Sequence, residues 1–298
     1  MTHVATLIAH PDCPWLDDPH AARARALLPA PGKPDWLDPG VAVDLPFTPA
    51  GAVDARALAE AIRAELEPTQ CDVVVQEVGR RRKRLFVADM DSTMIGQECI
   101  DELAAFAGLK DHVAAITERA MRGEIAFEPA LRERVGLLKG LPVSVVDEVI
   151  ATRITFTRGG ASLVRTMRAN GAYTALVSGG FTLFTGPIAA AIGFHENRAN
   201  RLIVEGGAFA GTVAEPILGK QAKLDALREL REARGIDARD TLAVGDGAND
   251  LAMLGEAGLG VAYRAKPAVA AAAHARLDYA DLTGLLYAQG YRPVQFAA

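Results

Sequence analysis

The chain has 298 residues, of which 50% are hydrophobic and 23% are charged, and its formal net charge is −5. This length allows one large domain with one or two smaller ones, each with a buried core. The acidic balance argues against nucleic acid as the main partner, because binding to a phosphate backbone needs a basic face. One basic run, 80–84, precedes an apolar strand, where a solvated linker is commoner than a nucleic-acid or membrane-surface patch.

Cysteine usage and the N-terminal segment predict a cytoplasmic location. Cys13, Cys71 and Cys99 are odd in number and form no C-x-x-C pair, which indicates neither a disulfide framework nor a zinc site. The chain begins without a basic region followed by an apolar one, and no run of about 18 apolar residues occurs. We therefore expect a reducing compartment, no export and no membrane partner.

Residues 1–80 predict a small α+β domain. Three apolar runs typical of strands alternate with two segments of helical composition and a proline-rich loop. In chain order these segments are 4–9, 21–28, 29–34, 41–45, 54–66 and 71–78.

The pattern changes at residue 81 to strands that alternate with helices. Such alternation predicts an α/β fold with a doubly wound, mostly parallel sheet and helices on both faces. The predicted strands are 85–88, 173–177, 241–244, 259–262 and 277–280. We assign 81–96 and 156–298 to this core, and a pair of alternating runs around Gly206-Gly207 within 202–213 predicts a two-residue hairpin.

The insertion at 97–155 reads as purely helical. Its apolar positions recur at helical spacing in four segments, and we expect a helical cap set over the ends of the strands. The four segments are 100–106, 113–122, 129–138 and 143–150.

Two aspartates follow the first strand of the core. The apolar run 85–88 leads into Asp89-Met90-Asp91, so two carboxylates arrive at the C-terminal end of a buried strand, where open α/β sheets place their chemistry. One carboxylate can act as a nucleophile while the other exchanges a proton with the leaving or attacking oxygen. The pattern suggests phosphoryl transfer, but D-x-D alone is commoner in surface turns, N-caps and calcium loops.

A hydroxyl and two glycines follow the second strand, at Ser178-Gly179-Gly180. The hydroxyl and the glycine amides could accept the oxygens of a phosphate close to the backbone. Taken alone, an S-G-G sequence is more often a plain strand-to-helix turn. The S-G-G sequence is informative because it follows the D-x-D motif in chain order.

Lys223 and a carboxylate-rich turn complete the set. Lys223 lies on a predicted helix and could neutralise phosphate and aspartate charge, although most lysines are solvated. Asp246, Asn249 and Asp250 surround two glycines at the end of the third strand. These hard oxygen ligands suit Mg²⁺, and a simple turn does not explain their position after a buried strand.

With these four motifs the chain resembles the haloacid-dehalogenase superfamily and, within it, the phosphoserine phosphatases. The resemblance spans about residues 85–290. The four motifs imply only a Mg²⁺-dependent phosphotransferase, and the more specific assignment depends on the cap.

Two cap segments, 97–102 and 117–127, resemble the substrate-recognition segments of phosphoserine phosphatases. By this resemblance Glu98 would contact the ammonium group of the substrate and Arg134 would clamp its carboxylate. Met121 and Phe127 would line the pocket. Without the resemblance, the two charges are better interpreted as exposed helix residues and the two apolar residues as cap core.

The resemblance also implies a mechanism. Phosphoryl transfer to Asp89 would give an aspartyl phosphate, while Asp91 protonates the leaving serine oxygen and later activates water. Mg²⁺ would be held by Asp89, Asp246 and the backbone carbonyl of Asp91, and Asp250 would orient Lys223. The substrate phosphate would meet Ser178, Gly179, Gly180, Lys223 and Asn249.

The implied activity is a cytoplasmic phosphoric monoester hydrolase that converts O-phospho-L-serine to L-serine, the last step of serine biosynthesis from 3-phosphoglycerate. Two alternatives stay open: a related phosphotransferase that passes phosphate to another alcohol such as homoserine, and a catalytically silent binding module. The second alternative conflicts with the intact set of charged motif residues.

Two regions depart from the family pattern. Arg158-Gly159-Gly160 stands where family members often have a Pro-Gly pair, and we expect a local loop difference without a change in chemistry. Residues 1–80 match less well. They are compatible with a degenerate, ACT-like regulatory fold of the amino-acid-binding kind, or with a module that forms a homodimer.

Overall fold

Two larger β-sheets and one two-stranded hairpin organise the described residues. A computed structural model describes residues 1–121 and 124–297, and the side chains of Glu118, Ala120 and Met121 lie outside this description. Among the described residues, no helix combines the length and the apolar character that crossing a bilayer requires.

The N-terminal sheet is antiparallel and has four strands in the order β2-β3-β1-β4. The β-α-β-β-α-β sequence of its elements is that of ferredoxin-like folds. Its elements are β1 (His3–Ile8), α1 (Asp18–Ala26), β2 (Asp35–Asp38), β3 (Ala42–Phe47), α2 (Ala55–Leu66) and β4 (Asp72–Glu77). The predicted strands and helices are confirmed, but β2 was missed because its four residues, D-W-L-D, show no apolar run.

The second sheet is parallel and has six strands in the order β12-β11-β10-β5-β6-β7. The predicted α/β fold is therefore confirmed. The strands are β5 (Leu85–Ala88), β6 (Tyr173–Phe181), β7 (Glu196–Asn200), β10 (Thr241–Gly245), β11 (Leu259–Tyr263) and β12 (Ala275–Leu277), and the predicted hairpin is β8 (Leu202–Glu205) with β9 (Ala208–Val213). The central strands β5 and β10 are buried throughout, as continuous apolar runs in a parallel sheet require.

Helices cover both faces of this sheet and form the inserted cap. The cap helices are α3 (Cys99–Phe106), α4 (Lys110–Met121), α5 (Phe127–Leu137) and α6 (Val145–Thr152). The remaining helices are α7 (Gly160–Ala169), α8 (Thr182–Ile192), α9 (Lys220–Ala233), α10 (Leu251–Glu256), α11 (Pro267–Ala272) and α12 (Gly284–Ala288).

Two strand predictions need correction. The strand predicted at 173–177 continues to Phe181, with an irregular register against β7 after Val177, so Ser178, Gly179 and Gly180 belong to the end of the strand and not to a turn after it. The strand predicted at 277–280 ends at Leu277. The next three backbone N–H groups bind a side chain of the N-terminal sheet, as described below, and so do not extend the strand.

The cap joins the core through two adjacent linkers. The N–H of Gly96 donates to the carbonyl of Thr155 over 3.0 Å, and the N–H of Thr157 donates to the carbonyl of Met94 over 3.0 Å. The hairpin, which we assigned to the core from the sequence, also contacts the cap: the N–H of Gly140 donates to the carbonyl of Phe209 over 2.8 Å. The cap is therefore held at its linkers and by the hairpin.

The basic run 80–84 anchors the N-terminal sheet to the core. Arg81 donates to the Asp44 carboxylate over 2.6 Å and contacts the carbonyls of Tyr287 and Ala288. Arg80 binds Asp240 over 2.9 Å. The prediction of a simply solvated linker is wrong at these two positions, because their charges are paired across the junction.

Asp72 is a second anchor at this junction. The side chain is fully buried and accepts backbone N–H groups from Asp278, Tyr279 and Ala280 over 2.8, 3.1 and 2.8 Å. Arg63 lies 3.4 Å away. Burial raises the pKa of Asp72, and the Arg63 charge and these hydrogen bonds oppose the shift.

We expect Asp72→Ala to lower the free energy of unfolding by at least about 3 kcal/mol, because three backbone N–H groups at this junction lose their acceptor and the buried Arg63 guanidinium loses one of its partners. The measurement is urea unfolding of the full chain. Asp35→Ala is the matched control at the same junction: Asp35 pairs with Arg292 in an exposed position, so its loss should cost at most about 1 kcal/mol. Equal losses in the two variants would contradict this account.

Candidate active site

Asp89 follows β5 at the C-terminal edge of the parallel sheet and is only 4% exposed. Its Oδ1 atom accepts the backbone N–H of Met90 over 2.7 Å, and its Oδ2 atom lies 2.6 Å from Nζ of Lys223. Burial raises the pKa of Asp89 well above its usual range, while the Lys223 charge opposes that shift. A carboxylate at this position therefore depends on nearby cations to stay ionised.

Lys223, on α9, joins two buried carboxylates. Its Nζ atom lies 2.6 Å from Asp89 and 2.7 Å from Oδ1 of Asp250. Burial acts to lower the pKa of Lys223, but the two carboxylates outweigh burial and the pKa is raised. The side chain is thus a fixed cation beside Asp89.

The two glycines of the fourth motif make room for its polar side chains. A Cβ atom at Gly245 would lie 2.3 Å from Cγ of Asp250, and one at Gly247 would lie 2.2 Å from Oδ1 of Asn249. Distances this short exclude any side chain unless the turn moves. The N–H of Gly247 also donates to Oδ2 of Asp250 over 3.0 Å, which fixes the carboxylate that holds Lys223.

Three carboxylates at this edge could hold a metal ion. Oxygens of Asp89, Asp246 and Asp250 lie within 4.8 Å of one another. Both oxygens of Asp250 already accept hydrogen bonds, from Lys223 and Gly247, so Asp89 and Asp246 are the more available ligands. When all three are ionised, Lys223 leaves two negative charges uncompensated, and a hard divalent cation such as Mg²⁺ fits this oxygen set.

Asp91 lies between the core and the cap. Its Oδ2 atom accepts the hydroxyl of Ser178 over 3.1 Å, and its Oδ1 atom accepts the N–H of Cys99, at the start of the cap, over 2.9 Å. The N–H of Gly180 donates to Oγ of Ser178 over 2.8 Å. The first and second motifs are therefore in direct contact through hydrogen bonds.

Glu98 precedes the first cap helix and accepts the hydroxyl of Ser92 over 2.7 Å. Although the residue is exposed, the surrounding protein desolvates its carboxyl group. This desolvation, with the negative charge of Asp91, raises the pKa of Glu98 to about 7. An approaching cation would favour the ionised form of this group.

Arg134, on α5, is half-buried and has no carboxylate within 4 Å among the residues that the structure describes. Its hydrogen bonds go to the carbonyl of Ala130 over 3.3 Å and to the hydroxyl of Thr117 over 3.5 Å. Burial lowers the pKa of Arg134, and the charges of Asp101 and Glu98 oppose this. Most of its donors are thus available to an anionic ligand.

Phe127 brings the cap over the core. A Cβ atom at Gly179 would lie 3.5 Å from its ring, and one at Gly219 would lie 3.4 Å from it. The ring is 40% exposed, so this contact leaves an apolar surface beside the second motif. Met121, the other predicted wall residue, ends α4, but its side chain lies outside the described residues.

Asn200, at the end of β7, was missed from the sequence. The side chain is buried, and its Nδ2 atom donates to the carbonyls of Gly179 and Leu218 over 2.8 and 3.1 Å. Its Oδ1 atom accepts the N–H of Leu218 over 2.7 Å. Asn200 therefore joins the second motif to the segment that leads to Lys223. It stands in a polar run, E-N-R-A-N, that has no apolar pattern to mark it.

A family model of the haloacid dehalogenase-like hydrolases matches residues 86–255, which is more than half of the chain. The chain belongs to this family. Among curated proteins, a phosphoserine phosphatase from Archaeoglobus fulgidus is 42% identical over 79% of this chain and 69% of its own length. As its relatives are phosphatases, this haloacid dehalogenase-like hydrolase is a phosphatase enzyme.

Two solved structures resemble the hydrolase in different ranges. The HAD family hydrolase t0658 from Salmonella enterica serovar Typhi superposes with a TM-score of 0.82 at 27% identity, covering 96% of this chain and 98% of that one. A phosphoserine phosphatase solved with substrate bound has a TM-score of 0.64 at 40% identity, covering 68% of this chain and 97% of that one. The first comparison therefore includes the N-terminal sheet.

We expect Asn200→Asp to lower the free energy of unfolding of this hydrolase by about 2 kcal/mol or more, because two carbonyls lose their donor and face a carboxylate. Asn197→Asp, on the same strand, is the matched control. Within the described part of the chain, the Asn197 side chain accepts one hydrogen bond, from the Thr185 hydroxyl over 2.7 Å, and donates none, so aspartate can replace it. Urea unfolding measures both, and an unchanged Asn200→Asp variant would refute the role of the amide group.

Proposed function

We propose that this hydrolase converts O-phospho-L-serine to L-serine and inorganic phosphate through a phosphoryl intermediate on Asp89. The choice of substrate is based on two cap residues of opposite charge. Arg134 is half-buried and has no carboxylate within 4 Å among the described residues, and Glu98 has a raised pKa that a nearby cation would lower. A zwitterionic amino acid offers the matching carboxylate and ammonium groups. Similarity to phosphoserine phosphatases at about 40% identity supports the same choice.

The core residues divide the work of transfer. Asp89 attacks the phosphorus atom, while Lys223 holds the attacking carboxylate in place and neutralises charge on the transferring group. Asp91 donates a proton to the serine oxygen as it leaves, and then accepts a proton from the water that hydrolyses the aspartyl phosphate. The hydroxyl of Ser178, already bonded to Asp91, and the amide of Gly179 bind the phosphoryl oxygens.

Metal binding is assigned to Asp89, Asp246 and the backbone carbonyl of Asp91. A bound Mg²⁺ would neutralise the charge that develops on the phosphoryl oxygens. The hydroxyl of Thr93 donates to Oδ1 of Asp246 over 3.3 Å, which orients this carboxylate toward the site. Asp250 keeps Lys223 in place, and Asn249 lies beside it in the same turn.

Substrate selection is assigned to the cap. The planar guanidinium of Arg134 can bind a carboxylate through two parallel hydrogen bonds, and Glu98 can bind the ammonium group. Phe127 forms the apolar side of this pocket, and the family resemblance assigns Met121, whose side chain lies outside the described residues, to the same side. The cap comprises residues 97–155, between the core segments 81–96 and 156–298.

The hydrolase is assigned to the cytoplasm, as the last enzyme of serine biosynthesis from 3-phosphoglycerate. Its described cysteines are free, and burial raises the pKa of Cys71 to about 12, which disfavours the reactive thiolate. Residues 1–80 are assigned to a small N-terminal domain. One face of its sheet has a core cluster of its own, and residues such as Ile8 and Val74 pack into the main core. Its ferredoxin-like order of elements is compatible with ACT-like regulation or with dimer formation.

Substrate analogues that lack one charged group test the cap assignment directly. Glu98→Gln should raise KM for phosphoserine about tenfold or more, because an ion pair with the ammonium group is lost, and should leave KM for 3-phospholactate, which has no ammonium group, nearly unchanged. Arg134→Gln should raise KM for phosphoserine and leave that for phosphoethanolamine, which has no carboxylate, nearly unchanged. The measurement is release of inorganic phosphate with Mg²⁺ present.

Arg132→Gln is the matched control for Arg134→Gln. Arg132 lies on the same helix but is exposed and pairs with Glu215 over 2.6 Å, so its loss should change no KM. Chelated enzyme without Mg²⁺ is the blank and should release no phosphate. Equal activity on phosphoserine and on both analogues in the unsubstituted enzyme would refute the proposed substrate, while leaving the chemistry at Asp89 intact.

A further inference from the structure

A second pocket lies at the opposite edge of the parallel sheet from Asp89. Arg84 directly precedes β5 and Tyr173 begins β6, so the pocket is at the N-terminal ends of these strands. The four residues of β5 lie between Arg84 and Asp89, a separation of five steps of about 3.3 Å each along the strand. The cavity of about 300 Å³ is lined by Arg84, Arg168, Gly171, Ala172, Tyr173, His195, Arg234 and Ile236.

The lining of this pocket is strongly basic. It contains three arginines and a histidine but no aspartate or glutamate, in a chain whose net charge is −5. Within the described part of the chain, none of these three arginines has a carboxylate oxygen within 4 Å. Glu196 lies beside the lining, where it accepts the Tyr173 hydroxyl over 2.7 Å, but it is already paired with Arg198 over 2.8 Å. The repulsion among the arginines is therefore only partly offset, and an anion in the pocket would reduce it.

Aromatic stacking fixes part of this lining. The guanidinium of Arg234 lies 3.3 Å from the centre of the Tyr173 ring, and the His195 ring stacks on Tyr173 with centroids 4.6 Å apart. The tyrosine ring is thereby already covered, which leaves it unavailable for stacking with a nucleobase. Recognition in this pocket would depend on charge and hydrogen bonds.

His195 adds a hydrogen-bond donor. The backbone N–H of Thr174 donates to Nδ1 of His195 over 3.2 Å, so the neutral ring carries its proton on Nε2. Partial burial and the charges of Arg168 and Arg234 lower the pKa of His195, and Glu196 opposes them. The pKa of the His195 ring therefore depends on the positive potential of the pocket, and it should rise when a bound anion reduces that potential.

The helix C-termini at this edge offset only part of the positive charge of the arginines. Helices α7, α8 and α9 end beside the pocket, and Arg168 donates to the carbonyl of Gly193 at the end of α8. Each helix C-terminus carries about half a negative charge, so three helix ends offset about half of the charge of three arginines. The positive charge that the helix ends do not offset favours a bound anion.

We propose that this pocket binds a small phosphate-bearing anion through Arg84, Arg168, Arg234 and His195. Arginine suits this ligand because its planar fork donates two hydrogen bonds to a phosphate group. The cavity volume is at the low end of small-molecule sites, which span about 300–1,000 Å³. The site is separate from Asp89, and the proposal does not depend on the substrate of the enzyme.

The test follows the ring resonances of His195 by NMR in the full chain, without Mg²⁺, during titration with pyrophosphate. A saturable shift and a rise in the pKa of His195 are expected. Arg84→Gln and Arg234→Gln should each weaken binding about tenfold, the effect of losing one charged hydrogen bond. Arg84→Gln is the cleaner variant, because the Arg84 side chain is exposed and makes no hydrogen bond, ion pair or ring contact with the other described residues.

Arg201→Gln is the matched control: it removes one exposed positive charge from another part of the surface and should leave binding unchanged. Inorganic phosphate and AMP distinguish the source of the ligand, since tighter binding of AMP would identify a nucleotide and equal binding a free phosphate. A His195 resonance that does not respond to millimolar pyrophosphate would overturn the proposal. Unchanged affinity for pyrophosphate in both arginine variants would also overturn the proposal. It would indicate that the arginines only neutralise the negative charge of the helix C-termini.

Discussion

The buried pairing of Lys223 with Asp89 and Asp250 is the constraint on which the rest of the site depends. Both carboxylates lie within 2.7 Å of one ammonium group, and removing one partner from such a buried set typically costs about 3–5 kcal/mol. The strand that ends at Asp89, the helix that carries Lys223 and the glycine turn around Asp250 must therefore stay in register. The negative charge that Lys223 leaves uncompensated is the charge that a divalent cation bound at this acidic cluster would neutralise.

The cap completes this centre by adding groups that the core lacks. Asp91 accepts hydrogen bonds from the core at Ser178 and from the cap at Cys99, so the proposed acid and base sits where the two parts meet. Arg134 and Glu98 contribute opposite charges from the cap side. Asn200 holds the end of β6, which carries the second motif, from the core side, and the hairpin packs on the cap. In the proposed function, the core therefore carries the chemistry and the cap carries the selectivity.

Predictions from the sequence were most accurate where the residues of a single strand determine the position of that strand. The apolar run before Asp89 set the position of β5, and the motifs after the strands marked the residues that gather around Lys223. Prediction failed at β2 and β7, whose polar residues lie at sheet edges, and at 278–280, whose N–H groups bind the distant Asp72. Asn200 and the pocket around Arg84 were also missed, because their partners come from segments far apart in the chain and leave no local pattern.

The central claim is that Asp89 is the nucleophile. In the most direct measurement, the enzyme is mixed with Mg²⁺ and with phosphoserine that carries a radioactive phosphorus label, and the reaction is quenched with acid. The labelled residue of the protein is then identified, and the release of phosphate is followed in parallel. We expect label on Asp89 in the unsubstituted enzyme and in Asp111→Asn, an exposed cap control. Asp89→Asn should fold, carry no label and lose at least about 10³-fold in turnover. Label or near-normal turnover in Asp89→Asn would contradict the account.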